Sequence, residues 1–147
     1  MKRKRSLPRV VFNASVLLSA MRSPNGGSGE LLKLLQKKRL VGIVSETILD
    51  EALKHADRIP LSIDQLREEI NRHIPKIFPA PQEESVTRYK RLMLDKDDAH
   101  LFASYSETHA DYLVSLDKHH VLALKGKLKG ITILSPAELL ALLGKHR

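Results

Sequence analysis

Asp98 is a carboxylate at a position where helical periodicity asks for an apolar side chain. The segment Asp97-Asp98-Ala99-His100-Leu101-Phe102-Ala103-Ser104-Tyr105 reads as a helix. Leu101, Phe102 and Tyr105 follow Asp98 at helical spacing, so the four residues share one face. A charge aimed at a core is costly unless something compensates it, and a bound cation is one such compensation. A second reading is placement in the first helical turn, where the dipole and free amides favour an acid by about 0.3–1 kcal/mol. Asp95 could then be the cap. On this segment alone both readings stand. Two further polar residues follow apolar runs: Asn13 after Arg9-Val10-Val11-Phe12, and Asp117 after Tyr112-Leu113-Val114-Ser115-Leu116. Each is also an ordinary turn residue.

Gathered carboxylates repel: at about 5 Å and an effective dielectric of about 20, each ionised pair costs roughly 3 kcal/mol. Protonation or a divalent cation relieves this. Oxygen-rich sites suit Mg²⁺ or Mn²⁺, which share phosphate oxygens with a substrate and can support phosphodiester hydrolysis. The charge balance points the same way. Lys and Arg outnumber Asp and Glu by 25 to 17, the net charge is +8 and the pI is about 9.8, which favours a polyanionic partner such as RNA. Few aromatic residues interleave with the basic ones, so aromatic stacking platforms for single strands are not indicated. The chain has no cysteine, which excludes disulfides and thiolate zinc sites and suits a cytoplasmic location. No apolar run is long enough to span a bilayer, and Met1-Lys2-Arg3-Lys4-Arg5-Ser6 lacks the apolar stretch of a signal peptide.

The elements that would position these residues alternate. Strands are expected at Arg9–Phe12, Leu40–Val44, Tyr112–Leu116 and Gly130–Leu134. Helices are expected at Glu30–Lys38, from Ser45 to near Asp57, at Ile63–Ile74 with Ser62 as cap, at Glu83–Leu92, at Asp97–Tyr105 and at Ala137–Leu143 after Ser135-Pro136. Ser23–Ser28 reads as a loop, and Pro75, Pro79 and Pro81 mark a connector with Ile77 and Phe78 extended. Continuously apolar strands alternating with helices predict a doubly wound, three-layer α/β/α domain with a central, mainly parallel sheet. Residues 1–8 read as a basic flexible tail and 9–147 as a single domain. Ligands of such sheets bind beyond the carboxyl ends of the strands, where strand order reverses. Asn13, Asp98 and Asp117 would meet on that rim. Other polar features carry less. His119 and His120 are adjacent and read as solvated or turn residues, and the Ser23–Gly29 loop lacks the Lys-Ser/Thr ending of a phosphate loop.

Four segments in order resemble the PIN domain family, common in toxin–antitoxin modules. Arg9 to Ala20 is similar to the family's opening strand and turn. Ser45 to Leu53 is similar to its second motif, with Glu51 at the acidic position. Asp97-Asp98-Ala99-His100-Leu101-Phe102-Ala103 is similar to the third, with Asp98 as the metal residue. Ala110-Asp111-Tyr112-Leu113-Val114-Ser115-Leu116-Asp117-Lys118 is similar to the fourth, with Asp117 as its acid. The resemblance implies a Mg²⁺- or Mn²⁺-dependent ribonuclease. Glu51, Asp98 and Asp117 would hold metal, with Asn13 at the remaining ligand position and Ser115 supporting the site. It also implies a separate antitoxin protein and a homodimer. Periodicity by itself reads Glu51 as solvated, because Ile48, Leu49, Ala52, Leu53 and Ala56 define the apolar face of its helix.

The first motif departs from the family. Asn13-Ala14-Ser15 stands where the family has Asp-Thr-Asn. Asn13 offers a carbonyl oxygen but no charge, so weaker metal binding is expected. The alternative is therefore a catalytically degenerate module of the same fold, binding RNA or a protein. A phosphoacceptor domain of response-regulator type shares the architecture, but it wants an acidic pair after the first strand and a Lys after the last. Neither is clear in this chain.

Overall fold

Val10, Val11 and Phe12 are fully buried, and so are Leu113 and Val114. These unbroken apolar runs form adjacent strands at the centre of a sheet covered on both faces. The computed structural model describes residues 6–93 and 95–144. The Lys2–Arg5 run of the expected tail and the last three residues of the expected domain lie outside them.

The strands are β1 (Arg9–Phe12), β2 (Val41–Ile43), β3 (Tyr112–Val114) and β4 (Ile133–Leu134). They are parallel throughout, in the order β2-β1-β3-β4. The helices are α1 (Ala14–Arg22), α2 (Gly27–Gln36), α3 (Glu46–Lys54), α4 (Ile63–His73), α5 (Glu83–Lys90), α6 (Ala99–Glu107) and α7 (Pro136–Gly144). α1 packs on α2 and α3, and α2 on α7, while α5 and α6 pair with each other and α6 lies against β1 and β3. This is the three-layer arrangement expected. From β1 the chain moves to β2 on one side and later returns to β3 on the other. Strand order therefore reverses between β1 and β3, where doubly wound sheets open a crevice at the carboxyl ends of the strands.

Side-chain caps set the starts of three helices. Ser45 Oγ accepts from Ile48 N–H at 3.1 Å. Ser62 and Gln65 form a reciprocal capping box at the start of α4, and Ser135 and Glu138 do the same before α7. Phe78 is extended, as the connector suggested: its N–H donates to Val44 and its carbonyl accepts from Glu46. Several elements differ from those expected: β3 and β4 shorten to Tyr112–Val114 and Ile133–Leu134, α3 stops at Lys54 before a 3₁₀ turn at Ala56–Arg58, and Asp97 and Asp98 lie in a 3₁₀ turn ahead of α6. Ala14–Arg22 is a helix rather than a turn, with Val16, Leu17, Leu18 and Ala20 buried. α2 begins earlier, at Gly27, and Gly29 in its first turn packs on the Pro24 carbonyl with no room for a Cβ. It also ends earlier, because Lys38 adopts a left-handed conformation, with φ of 57°. The Lys38 and Arg39 amides then return to the Leu35 and Leu34 carbonyls, which closes a Schellman motif without glycine. Among the described residues, no helix is long and apolar enough to cross a membrane.

Candidate functional site

The crevice between β1 and β3 is built from the first residues past each strand. Asn13 N–H donates to the Val114 carbonyl at 3.1 Å, so the two strand ends are stitched together at that residue. Asn13 is 6% exposed, and its Nδ2 donates to Ser115 Oγ at 2.8 Å. Ser115 is fully buried, and the same oxygen accepts the Asp117 N–H at 3.0 Å. Both lone-pair positions of the hydroxyl are thereby used. Ser15 Oγ accepts the Leu116 N–H at 3.2 Å, which holds the loop between Ser115 and Asp117 against the start of α1. Asn13 caps α1 by its backbone conformation alone, since its side chain makes no capping bond.

Asp117 is a turn residue whose carboxylate is only partly consumed by the turn. Its Oδ1 accepts the N–H groups of His119 and His120 at 3.1 and 3.0 Å. Its Oδ2 lies 3.4 Å from His120 Nδ1. The other ring nitrogen of His120 lies 3.6 Å from Asp95 Oδ2. Asp95 accepts the Asp97 N–H and so caps the single 3₁₀ turn Lys96–Asp98 that leads into α6, the role its position suggested.

Asp98 sits at the junction of that turn with α6. It is 9% exposed and its side chain makes no capping bond. The hydrogen-bonded first-turn reading therefore does not describe it. Its pKa is raised to about 6. Burial is the largest cause, followed by the carboxylates of Asp95, Glu51 and Asp117, and His100 opposes them. Three acids from separate parts of the chain thus act on one buried carboxylate. Glu51, on the exposed side of α3 as its periodicity indicated, turns its Oε1 to His100 Nε2 at 3.2 Å. His100 is 7% exposed, and its Nδ1 is buried with no hydrogen-bond partner among the described residues.

Asp98, Asp117 and Glu51 thus share one electrostatic neighbourhood, and Asn13 and Ser115 underpin the Asp117 loop. In the sequence Asp95 reads only as a cap, His120 as a solvated or turn residue, and His100 has no assigned role. His120 is about half exposed, yet its ring faces two acids. Its spacing of three from Asp117 in a turn was the available signal. His100 gave none, since its partner lies 49 positions away. One oxygen or nitrogen from each of Asp95, Asp98 and His120 falls within 4.8 Å of the others. Carboxylates crowded until one is pushed toward its neutral form are a donor set that fits a divalent cation.

A sequence model of the PIN domain matches residues 9–119. The chain belongs to the PIN domain family. PIN domains are generally nucleases and members of toxin–antitoxin systems, and they typically use a divalent metal. Two solved structures are similar to this chain in fold. PAE2754 from Pyrobaculum aerophilum has a TM-score of 0.63 and 18% identity, covering 95% of this chain and 90% of that one. FitAB, bound to the IR36 DNA fragment, has a TM-score of 0.60 and 12% identity, covering 86% of this chain and 94% of that one. No curated protein matches the chain in sequence.

Proposed function

We propose that this PIN domain is a metal-dependent ribonuclease whose site is the rim between β1 and β3. The observation that carries the reading is Asp98: a carboxylate without a capping bond, its pKa pushed up by burial and then by three surrounding acids. Asp98 and Asp117, with Glu51, are the residues that would hold Mg²⁺ or Mn²⁺, and the Asn13 side-chain oxygen is a neutral fourth donor. Such a cation supplies an activated water and stabilisation of the leaving oxygen in phosphodiester hydrolysis. The chain's own residues do the positioning. Ser115 fixes the Asp117 loop and the Asn13 amide together. His100 orients Glu51 through the contact of its Nε2 with Glu51 Oε1. The net charge of +8 draws the RNA backbone toward an acidic rim that could not attract it alone.

Cleavage of RNA with Mn²⁺ or Mg²⁺ tests this. Asp98→Asn is expected to lower the rate about a hundredfold or more, the scale on which metal-site supports act. Equal cleavage by both proteins would mean a contaminating nuclease and remove the claim. The nucleic-acid setting is supported by FitAB, which is bound to DNA. An antitoxin protein as inhibitor, a second copy as dimer partner and a cytoplasmic location belong to the same reading.

Asn13 favours a second reading, a degenerate module that binds RNA or a protein without cutting. Its amide donates to Ser115 Oγ, an arrangement a carboxylate could adopt only if the Ser115 hydroxyl reversed to donate. That reversal is open to a rotatable hydroxyl. Asn13→Asp is therefore expected to fold and to raise metal affinity and cleavage. If wild type binds RNA, cuts none and gains cutting with Asn13→Asp, the degenerate reading replaces the first.

A further inference from the structure

We propose that His120 is a nitrogen ligand at this rim, so that the site takes a first-row transition dication, with Mn²⁺ as probe, in preference to Mg²⁺. The inference deepens the ribonuclease reading and rests on its metal site. Its ground is the triad Asp95, Asp98 and His120, whose donor atoms lie within 4.8 Å of one another. The imidazole is held between two acids, with Nδ1 3.4 Å from Asp117 and Nε2 3.6 Å from Asp95. Either contact is too long for a firm hydrogen bond. The ring is oriented by the Asp117 turn, which accepts the His120 N–H. Asp98 supplies an independent indication. It is about nine-tenths buried, it lies within that donor cluster, and no capping bond satisfies its carboxylate.

The rest of the rim strengthens the case for nitrogen. Asn13 brings an amide oxygen in place of a charge, and Glu51 is engaged by His100. Mg²⁺ binds through carboxylates, phosphates and retained waters, whereas imidazole suits transition dications. A rim that loses a carboxylate on the β1 side and offers an imidazole on the β3 side shifts selectivity toward the latter.

The test is Mn²⁺ binding to the full chain, read by pulsed electron paramagnetic resonance, with Mg²⁺ as competitor. Wild type is expected to show spin-echo modulation from a directly bound imidazole nitrogen and to prefer Mn²⁺ over Mg²⁺ by about tenfold or more. His120→Asn should remove the modulation and weaken Mn²⁺ by about tenfold, with Mg²⁺ affinity nearly unchanged. His120 is half exposed, and an unchanged melting temperature will show that the variant is folded. Modulation absent from wild type while Asp98→Asn still abolishes Mn²⁺ binding would overturn the inference and leave the metal site standing. Modulation that persists in His120→Asn would do the same. No Mn²⁺ binding by wild type at all would overturn both.

Discussion

At the scale of single residues, Asp98 makes a cost visible that the cation would relieve. Its folded pKa is about 6, above the value of about 3.9 for a free side chain. The folded state therefore holds this proton more tightly than the unfolded chain. Without metal, stability is expected to fall as pH rises from about 4 through about 6, and to stay lower above that. Allowing for solvent screening at the open rim, the loss is about 1–2 kcal/mol. Asp98→Asn should flatten this slope and be more stable than wild type at neutral pH in chelator, as urea unfolding at several pH values will measure. Equal slopes in the two proteins would contradict the raised pKa of Asp98. Asp98 was legible in the sequence because a carboxylate interrupts an apolar helical stripe. Glu51 was not legible by periodicity, since it stands off its helix's apolar face; only the family resemblance singled it out. Asp95 and His120 were hidden because each already has a local job, one as a cap and the other in a turn. Their proximity appears only when the β3 loop is folded against the turn before α6.

At the scale of elements, the strand runs and the caps Ser45, Ser62 and Ser135 were readable because each rests on local chemistry. α1 was not, because Ala14–Arg22 follows a strand directly and its apolar residues extend the same run. The ends of α2 and α6 were obscure for another reason. Lys38 and His109 take the left-handed position, with φ of 57° and 55°, where glycine would have announced a stop. For His109 the pattern repeats: the Ala110 amide returns to Tyr105 and the His109 amide to Ser106. Lys38→Gly is expected to raise stability by about 0.5–1 kcal/mol, since the relief of left-handed strain exceeds the added chain entropy. Chemical denaturation will check it, and a loss of stability would show that the Lys38 side chain contributes contacts that outweigh the strain. The helix-end geometry also matters for the rim. The Thr108 carbonyl at the end of α6 is held by Arg9 Nε and Nη2 from β1, which anchors the helix that starts just after Asp98 to the strand that ends just before Asn13.

At the scale of the whole molecule, a parallel sheet with its reversal between β1 and β3 collects Asn13, Ser115 and Asp117 on one edge, and helices α3 and α6 deliver Glu51 and Asp98 to the same edge. The topology was legible because buried parallel strands leave unbroken apolar runs. The acidic edge sits on a basic molecule, and that contrast makes a prediction of its own. RNA binding by Asp98→Asn, measured without cleavage, should weaken steeply with salt. Four neutralised phosphates correspond to about 50-fold between about 50 and 200 mM. A flat salt dependence would point to a protein partner instead. Calorimetric titration of the metal-free chain with Mn²⁺ asks whether this edge gathers on a cation. Saturable binding to wild type is expected, with affinity lower by about a hundredfold in Asp98→Asn. No heat of binding from wild type, or equal affinity in the two proteins, would contradict it.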